Sequence, residues 1–267
     1  LIEKLIIICL FTATIHMIET LSYSVRIAGV RTARLATALS LFNILVIVSR
    51  TANMIQAPFA GSLIDEAKRT ENLHLVKDQF RIIIGSASLG TILGALLIPT
   101  FVFIFARAII HLEQAGSVPQ MLKNIATIQK LRQAKQHVRS PRWWMLARVR
   151  MGGVPKRLLL INIIVSAIYT VGVLAALYAS LLIPEHSSAA MNSSGLINGI
   201  ATILLVLFVD PKVALLTDDV LHGRKDPALI NKMVATLTLS RLLGTLIAQL
   251  LLVPAAYWIM LITDLIG

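Results

Sequence analysis

Residues 158–183 read LLLINIIVSAIYTVGVLAALYASLLI, a run without a single charge, entered from Lys156-Arg157 and closed by Pro184. As a helix this run is roughly 39 Å long, more than the ~30 Å hydrocarbon core of a bilayer. A helix that is apolar on every side has no solvent-facing stripe, so its surroundings are lipid or other helices. Working outward, five further apolar segments appear at about 5–25, 36–58, 82–106, 190–209 and 233–262. Composition agrees. Hydrophobic residues make up 57% of the 267 and charged ones 14%, where an ordinary soluble domain carries about 25% charged. The expected fold class is all-α: a single integral membrane domain over 1–267, a bundle of about six transmembrane helices.

Several function classes are excluded early. Cys9 is the only cysteine, so disulfides and cysteine-rich metal sites are out. The first segment carries His16 and Glu19 and lacks a small-x-small exit, unlike a cleavable signal peptide. No Gly-rich loop with Lys and Ser/Thr is present, nor a Ser–His–acid order or a zinc-binding His-Glu pattern. No catalytic residue, cofactor or metal is expected, and ATP bound to this chain is not the driving force.

The distribution of Lys and Arg sets the expected orientation. Loop 26–35 carries Arg26, Arg31 and Arg34 with no acid, and loop 107–157 has eleven basic residues against Glu113 alone. Loop 210–232 holds four of each sign. Placing these three inside gives 18 basic residues there against five outside, with both termini outside. Loop 107–157 supplies +10 (eleven minus one) of the +12 net charge. Within it Leu122, Ile125, Ile128 and Leu131 recur at helical spacing among Lys and Arg, and Trp143-Trp144 follow Arg142. This pattern fits an amphipathic helix on an anionic inner leaflet. It equally fits a capture surface for a polyanionic headgroup through Lys130, Arg132, Lys135 and Arg139. Positive-inside charge accounts for the basic balance, so nucleic acid is not an expected partner.

Ionisable residues within the spans are the candidate site, because each is costly in lipid. His16 and Glu19 share one helical face, with Arg26 two turns further on. The second span holds Ser49, Arg50, Asn53 and Gln56. The sixth holds Ser240, Arg241, Thr245 and Gln249. Asn162 and Tyr169 in the fourth and Asn198 in the fifth add neutral donors. Arg50 and Arg241 each fall roughly 12 Å from a membrane face. Their planar guanidinium forks suit phosphate, and together the stripes predict a hydrated cavity shared by Glu19, Arg50 and Arg241. An alternative is a buried Glu19–Arg pair with the second arginine reaching for the surface. His16 and Glu19 are also the candidate proton-coupling pair.

Three features leave their readings open. The fifth span offers only Leu196–Val209 as an apolar run, between Asn192-Ser193-Ser194-Gly195 and Asp210-Pro211. Short or Gly/Pro-interrupted segments often mark transport sites, but tilt or a thinned bilayer also accommodates them. Asp218 and Asp219, near His222 and Arg224, are either metal-binding acids of an enzyme or an ordinary solvated loop. Ser86, Gly90 and Gly94 form a small-residue face, which packs within the chain or against a second copy in a homodimer.

Several motifs together resemble one family. His16-Met-Ile-Glu19, continuing through Arg26, Gly29 and Arg31-Thr32, looks like the N-terminal signature of the Amj-type lipid II flippases. So do Ser40-Leu-Phe-Asn43, Ser49-Arg50-Thr-Ala-Asn53 and Gln56-Ala-Pro58. Pro155-Lys156-Arg157 with Asn162, Tyr169-Thr-Val-Gly172, Asn198-Gly199 and Asp210-Pro211 extend the resemblance. Thr217-Asp218-Asp219, Gly244-Thr245, Gln249 and Pro254 carry it to the end of the chain. The resemblance implies a multi-pass protein of a bacterial plasma membrane that moves the undecaprenyl-pyrophosphate-linked peptidoglycan precursor from inner to outer leaflet. Two rival classes are a membrane enzyme acting on a polyprenyl phosphate and a non-transporting scaffold.

Overall fold

A computed structural model describes residues 2–70, 73–117, 120 and 153–266. Its six long helices are α1 Ile2–Thr32, α2 Leu35–Thr70, α3 Leu73–Ala115, α4 Lys156–Leu182, α5 Ser187–Leu221 and α6 Ala228–Ile266. Each is long and apolar enough to cross a membrane. No strand occurs among the described residues. The basic segment with Lys130, Arg132, Lys135, Arg139 and Trp143-Trp144 lies outside the described residues.

The helices run well past the apolar windows. Hydropathy marks where lipid ends, whereas a helix can continue into water on its own hydrogen bonds. Of residues 59–81, expected as a loop, 59–70 and 73–81 instead belong to the ends of α2 and α3. They stay helical because they are amphipathic: Leu63, Ile64 and Ala67 face Val76, Phe80 and Ile8 in one buried cluster. Loop 26–35 contracts in the same way to Ala33 and Arg34. Ala33 turns the corner with a φ of 55°. Pro58, Pro99 and Pro254 sit inside continuous helices.

Two close helix pairs organise the bundle. On α3, a Cβ built at Gly90 would lie 2.1 Å from the Ala13 carbonyl oxygen of α1, and one at Gly94 would lie 2.8 Å from Thr20 Cβ. The small-residue face of α3 is thus covered by α1 of the same chain. On α6, a Cβ built at Gly244 would lie 2.6 Å from Ser166 Cβ and 2.7 Å from the Ile163 carbonyl oxygen of α4. Without a hydrophobic drive between helices in lipid, such backbone approach is what gives packing its strength.

α5 is the irregular member. It turns at Ser193, resumes over Ser194–Leu204, widens into a π turn at Leu205–Val209, and continues as Asp210–Leu221. Pro211 explains the π turn: it has no N–H to offer the carbonyl four residues back. The Asp210 N–H bonds the Leu205 carbonyl five residues back, which is π register. The apolar side chains Val206, Leu207 and Phe208 of this turn are exposed, as expected toward lipid.

Candidate functional site

One face of α1 gathers the polar groups. Thr12, His16, Glu19, Tyr23 and Arg26 follow one another at spacings of four and three, so they line up along roughly 21 Å of helix. Other helices answer each end of this column. Gln56 of α2 donates to the Thr12 hydroxyl at 2.6 Å. Ser49 of α2 donates to Glu19 Oε1 at 2.8 Å. Arg241 of α6 forms an ion pair with Glu19 Oε2 and lies 3.4 Å from His16 Nδ1. Arg26 reaches Asp210 of α5 at 3.3 Å and stacks over the Phe42 ring at 4.7 Å.

Both arginines are deeply placed, the Arg26 side chain 6% exposed and that of Arg241 11%. A guanidinium has five donors, and the Nε of each is buried without a partner. The ion pairs therefore leave donor capacity in low dielectric. Between the middles of α1, α2 and α4 lies a cavity of about 50 Å³, lined by His16, Glu19, Asn53, Gln56, Tyr169 and Thr170 among others. It has room for a few water molecules.

Some expected groupings form and others do not. Glu19 and Arg241 come together. Neither Arg50 nor Arg241 lines the cavity. Ser49, Asn53 and Gln56 take the inward face of α2 because they are spaced by four and three. Arg50 follows Ser49 by one residue, about 100° round the helix, and is exposed. Among the described residues Glu19 is paired with Arg241 and Ser49, not with Arg50.

The remaining candidates act between helices. Asn162 is buried and donates to Ser240 Oγ at 2.7 Å and to the Leu237 carbonyl at 3.1 Å, tying α4 to α6. Gln249 donates to the Arg81 carbonyl at 2.9 Å. Asn198 packs against Gly172 with its Oδ1 buried and unpartnered. Tyr169 shares a 2.5 Å hydrogen bond with Thr202 of α5. Asp218 and Asp219 are held by Arg224 at 2.6 and 2.9 Å, and Asp219 by Lys225 at 2.7 Å. Those hydrogen bonds raise the Arg224 pKa above its ordinary value. No group of three or more potential metal ligands occurs among the described residues. Sequence reasoning missed Thr12 and Tyr23, although the four-and-three spacing through His16, Glu19 and Arg26 runs straight through both.

The whole chain has known counterparts. A family model described as Amj, alternate to MurJ, matches residues 11–263. The sequence is 48% identical over 262 residues to a protein of Bacillus subtilis (strain 168) named Lipid II flippase Amj, covering 98% of this chain and 97% of that one. No solved structure matches.

Proposed function

The chain belongs to the Amj family, and from that premise we propose that it is a lipid II flippase, a transporter rather than an enzyme, in a bacterial plasma membrane. Its substrate joins an undecaprenyl tail to a pyrophosphate and a disaccharide-pentapeptide. Moving it means carrying an anion and a large polar group through hydrocarbon while the tail stays in lipid.

The observation that carries this reading is the polar column of α1, with two buried arginines whose Nε donors are unpartnered. Guanidinium forks match phosphate oxygens, and they are far stronger in low dielectric than in water. A cavity of about 50 Å³ cannot hold a disaccharide-pentapeptide, so the helices around the column must part to pass it. The basic end of the bundle faces the cytoplasm in this proposal, with Arg26 on the entry side and Glu19 with Arg241 deeper. A homodimer would have to use a face other than Ser86, Gly90 and Gly94, which α1 covers.

Proteoliposomes containing only this protein should move labelled lipid II between leaflets, and no movement above empty vesicles would end the reading. Parallel variants separate the rivals. Arg50→Ala should slow translocation about tenfold or more, the loss of one charged contact. Asp219→Ala should leave translocation within about twofold, since its partners are exposed surface charges. The reverse ranking would favour a membrane enzyme working through Asp218, Asp219 and His222.

Capture by loop 107–157 has its own signature. Neutralising Lys130, Arg132, Lys135 and Arg139 together should weaken binding to lipid II vesicles strongly at low salt and little at high salt, because exposed charges are screened. Equal losses at every ionic strength would point to packing instead.

A further inference from the structure

The apolar core is continuous at one end of the bundle and divided at the other. At the end where α1 begins and α6 finishes, one buried cluster draws on all six helices, through Ile8, Leu63, Phe80, Leu174, Ile197 and Leu252 among others. There Lys68 of α2 also bonds Ser187 of α5 at 3.1 Å. At the opposite, basic end two separate clusters take its place. One joins α5 to α4 and α6 through Val213, Leu158 and Leu237, with Ile27 of α1 and Val102 of α3. The other joins α2 to α1 and α3 through Leu41, Val25 and Phe105. Among the described residues, no α2 side chain enters the first, and none from α4, α5 or α6 enters the second. A seam between α2 and α5 therefore runs through the basic end without a shared apolar core.

Arg26 spans that seam. Its guanidinium lies 4.7 Å from the Phe42 ring of α2 on one side and 3.3 Å from Asp210 of α5 on the other. The Asp210 contact is made through one oxygen, short of the two-point grip a carboxylate can give. The α2 wall of the seam is polar as well. Ala57 lines the cavity together with Tyr169 and Thr170 of α4, while Leu41 turns to the other flank, toward Phe105 and Ile109 of α3. Residues seven apart lie about two turns along one line of a helix, so Arg50 and Asn43 follow Ala57 on the seam side. Both are exposed. A charged side chain open to hydrocarbon is costly, and polar groups at such depth mark the path of a polar cargo.

We propose that the α2–α5 seam at the basic end is the lateral entry for an anionic polyprenyl lipid, latched by Arg26 between Phe42 and Asp210. The headgroup passes between the two helices while the chain stays outside in the bilayer. This rests on the lipid II reading above and names the helices that part. Opening the seam breaks two polar contacts. Opening the other end would break close packing shared by six helices, which is what holds helices together in lipid.

The test uses the full chain in proteoliposomes, with Cys9→Ser as background and the pair Leu39→Cys/Ala214→Cys across the seam. These positions lie about one turn beyond Phe42 and Asp210 toward the basic end. A short bis-methanethiosulfonate reagent joins the two cysteines through disulfides that a reductant reverses. Joining them should stop lipid II translocation, and reduction should restore it. Linked protein that translocates like the reduced form overturns the proposal, as do cysteines that the reagent cannot join. The pair Lys4→Cys/Glu66→Cys links α1 to α2 at the other end, where they stay together, and should leave translocation unchanged. Equal loss there would remove the assignment to the seam. Spin labels on Leu39→Cys/Ala214→Cys in detergent give a readout independent of translocation. Farnesyl pyrophosphate, a short polyprenyl anion, should lengthen the distance between them, and an unmoved distance overturns the entry. Phe42→Leu should raise the share of long distances several-fold without any ligand, and parent-like distances overturn the latch. Lengthening by inorganic pyrophosphate but not by farnesyl pyrophosphate overturns the lipid-borne occupant. If the parent moves no lipid II while farnesyl pyrophosphate parts the labels, the lipid II reading falls and the seam stands.

Discussion

Gly90→Leu is expected to leave no folded protein. The α1 and α3 backbones touch at this position, with an added Cβ falling 2.1 Å from the Ala13 carbonyl oxygen and 2.7 Å from its Cα. Those atoms are backbone inside a helix, so they cannot step aside as a side-chain tip would. Accommodating leucine means prising the two helices apart along a contact that also includes Gly94, Met17 and Thr20. Overpacking a well-fitted interior costs about 1–3 kcal/mol where side chains can adjust, and here they cannot. Gly90→Ala should already lower thermal stability clearly. Gly61→Ala is the matched control, because nothing lies within 4 Å of its added Cβ and alanine is the better helix former. Monodisperse yield in detergent and unfolding temperature are the measurements. Gly90→Leu behaving like the parent would mean that the helices do not meet here.

The second large effect is expected at Glu19. Glu19→Gln keeps shape and hydrogen bonding but strands the Arg241 charge in the bilayer interior. Removing one partner of a buried pair costs about 3–5 kcal/mol. Translocation should fall at least a hundredfold even where folded protein is recovered. The double variant Glu19→Gln/Arg241→Gln restores charge balance and should recover stability relative to either single change, though not transport. Equal instability in all three would remove charge pairing as the explanation. The same variants address proton coupling. If Glu19 carries the proton, residual flipping in Glu19→Gln loses its response to an imposed pH gradient. A retained response leaves Glu19 as the partner that orients Arg241.

The number of helices was legible because lipid imposes a composition on every span: an unbroken run such as Leu158–Ile183 can be little else. Their ends were not legible. At 59–70 and 73–81 the chain remains helical beyond the apolar runs, and its amphipathic pattern through Leu63, Ile64, Val76 and Phe80 is one that a hydropathy window averages away. The polar face of α1 could be read from spacing alone. Its partners could not, since pairing Arg241 rather than Arg50 with Glu19 depends on how α2 is rotated. Ser49 and Arg50 are neighbours, and periodicity does not say which of two adjacent polar residues turns inward. The contact of Asp210 with Arg26 was hidden for a similar reason, as it spans 184 positions of chain.

The widened turn at Leu205–Val209 makes the Arg26–Asp210 contact a matter of counting. A π turn holds one residue more than an α turn, and one residue is about 100° of rotation and 1.5 Å of rise. The widened turn takes up that residue within itself, so Asp210–Leu221 follows Ser194–Leu204 without the rotation an inserted residue would impose on a regular helix, and the acid meets Arg26. The chain length of this segment, as much as its chemistry, encodes which residue meets the arginine.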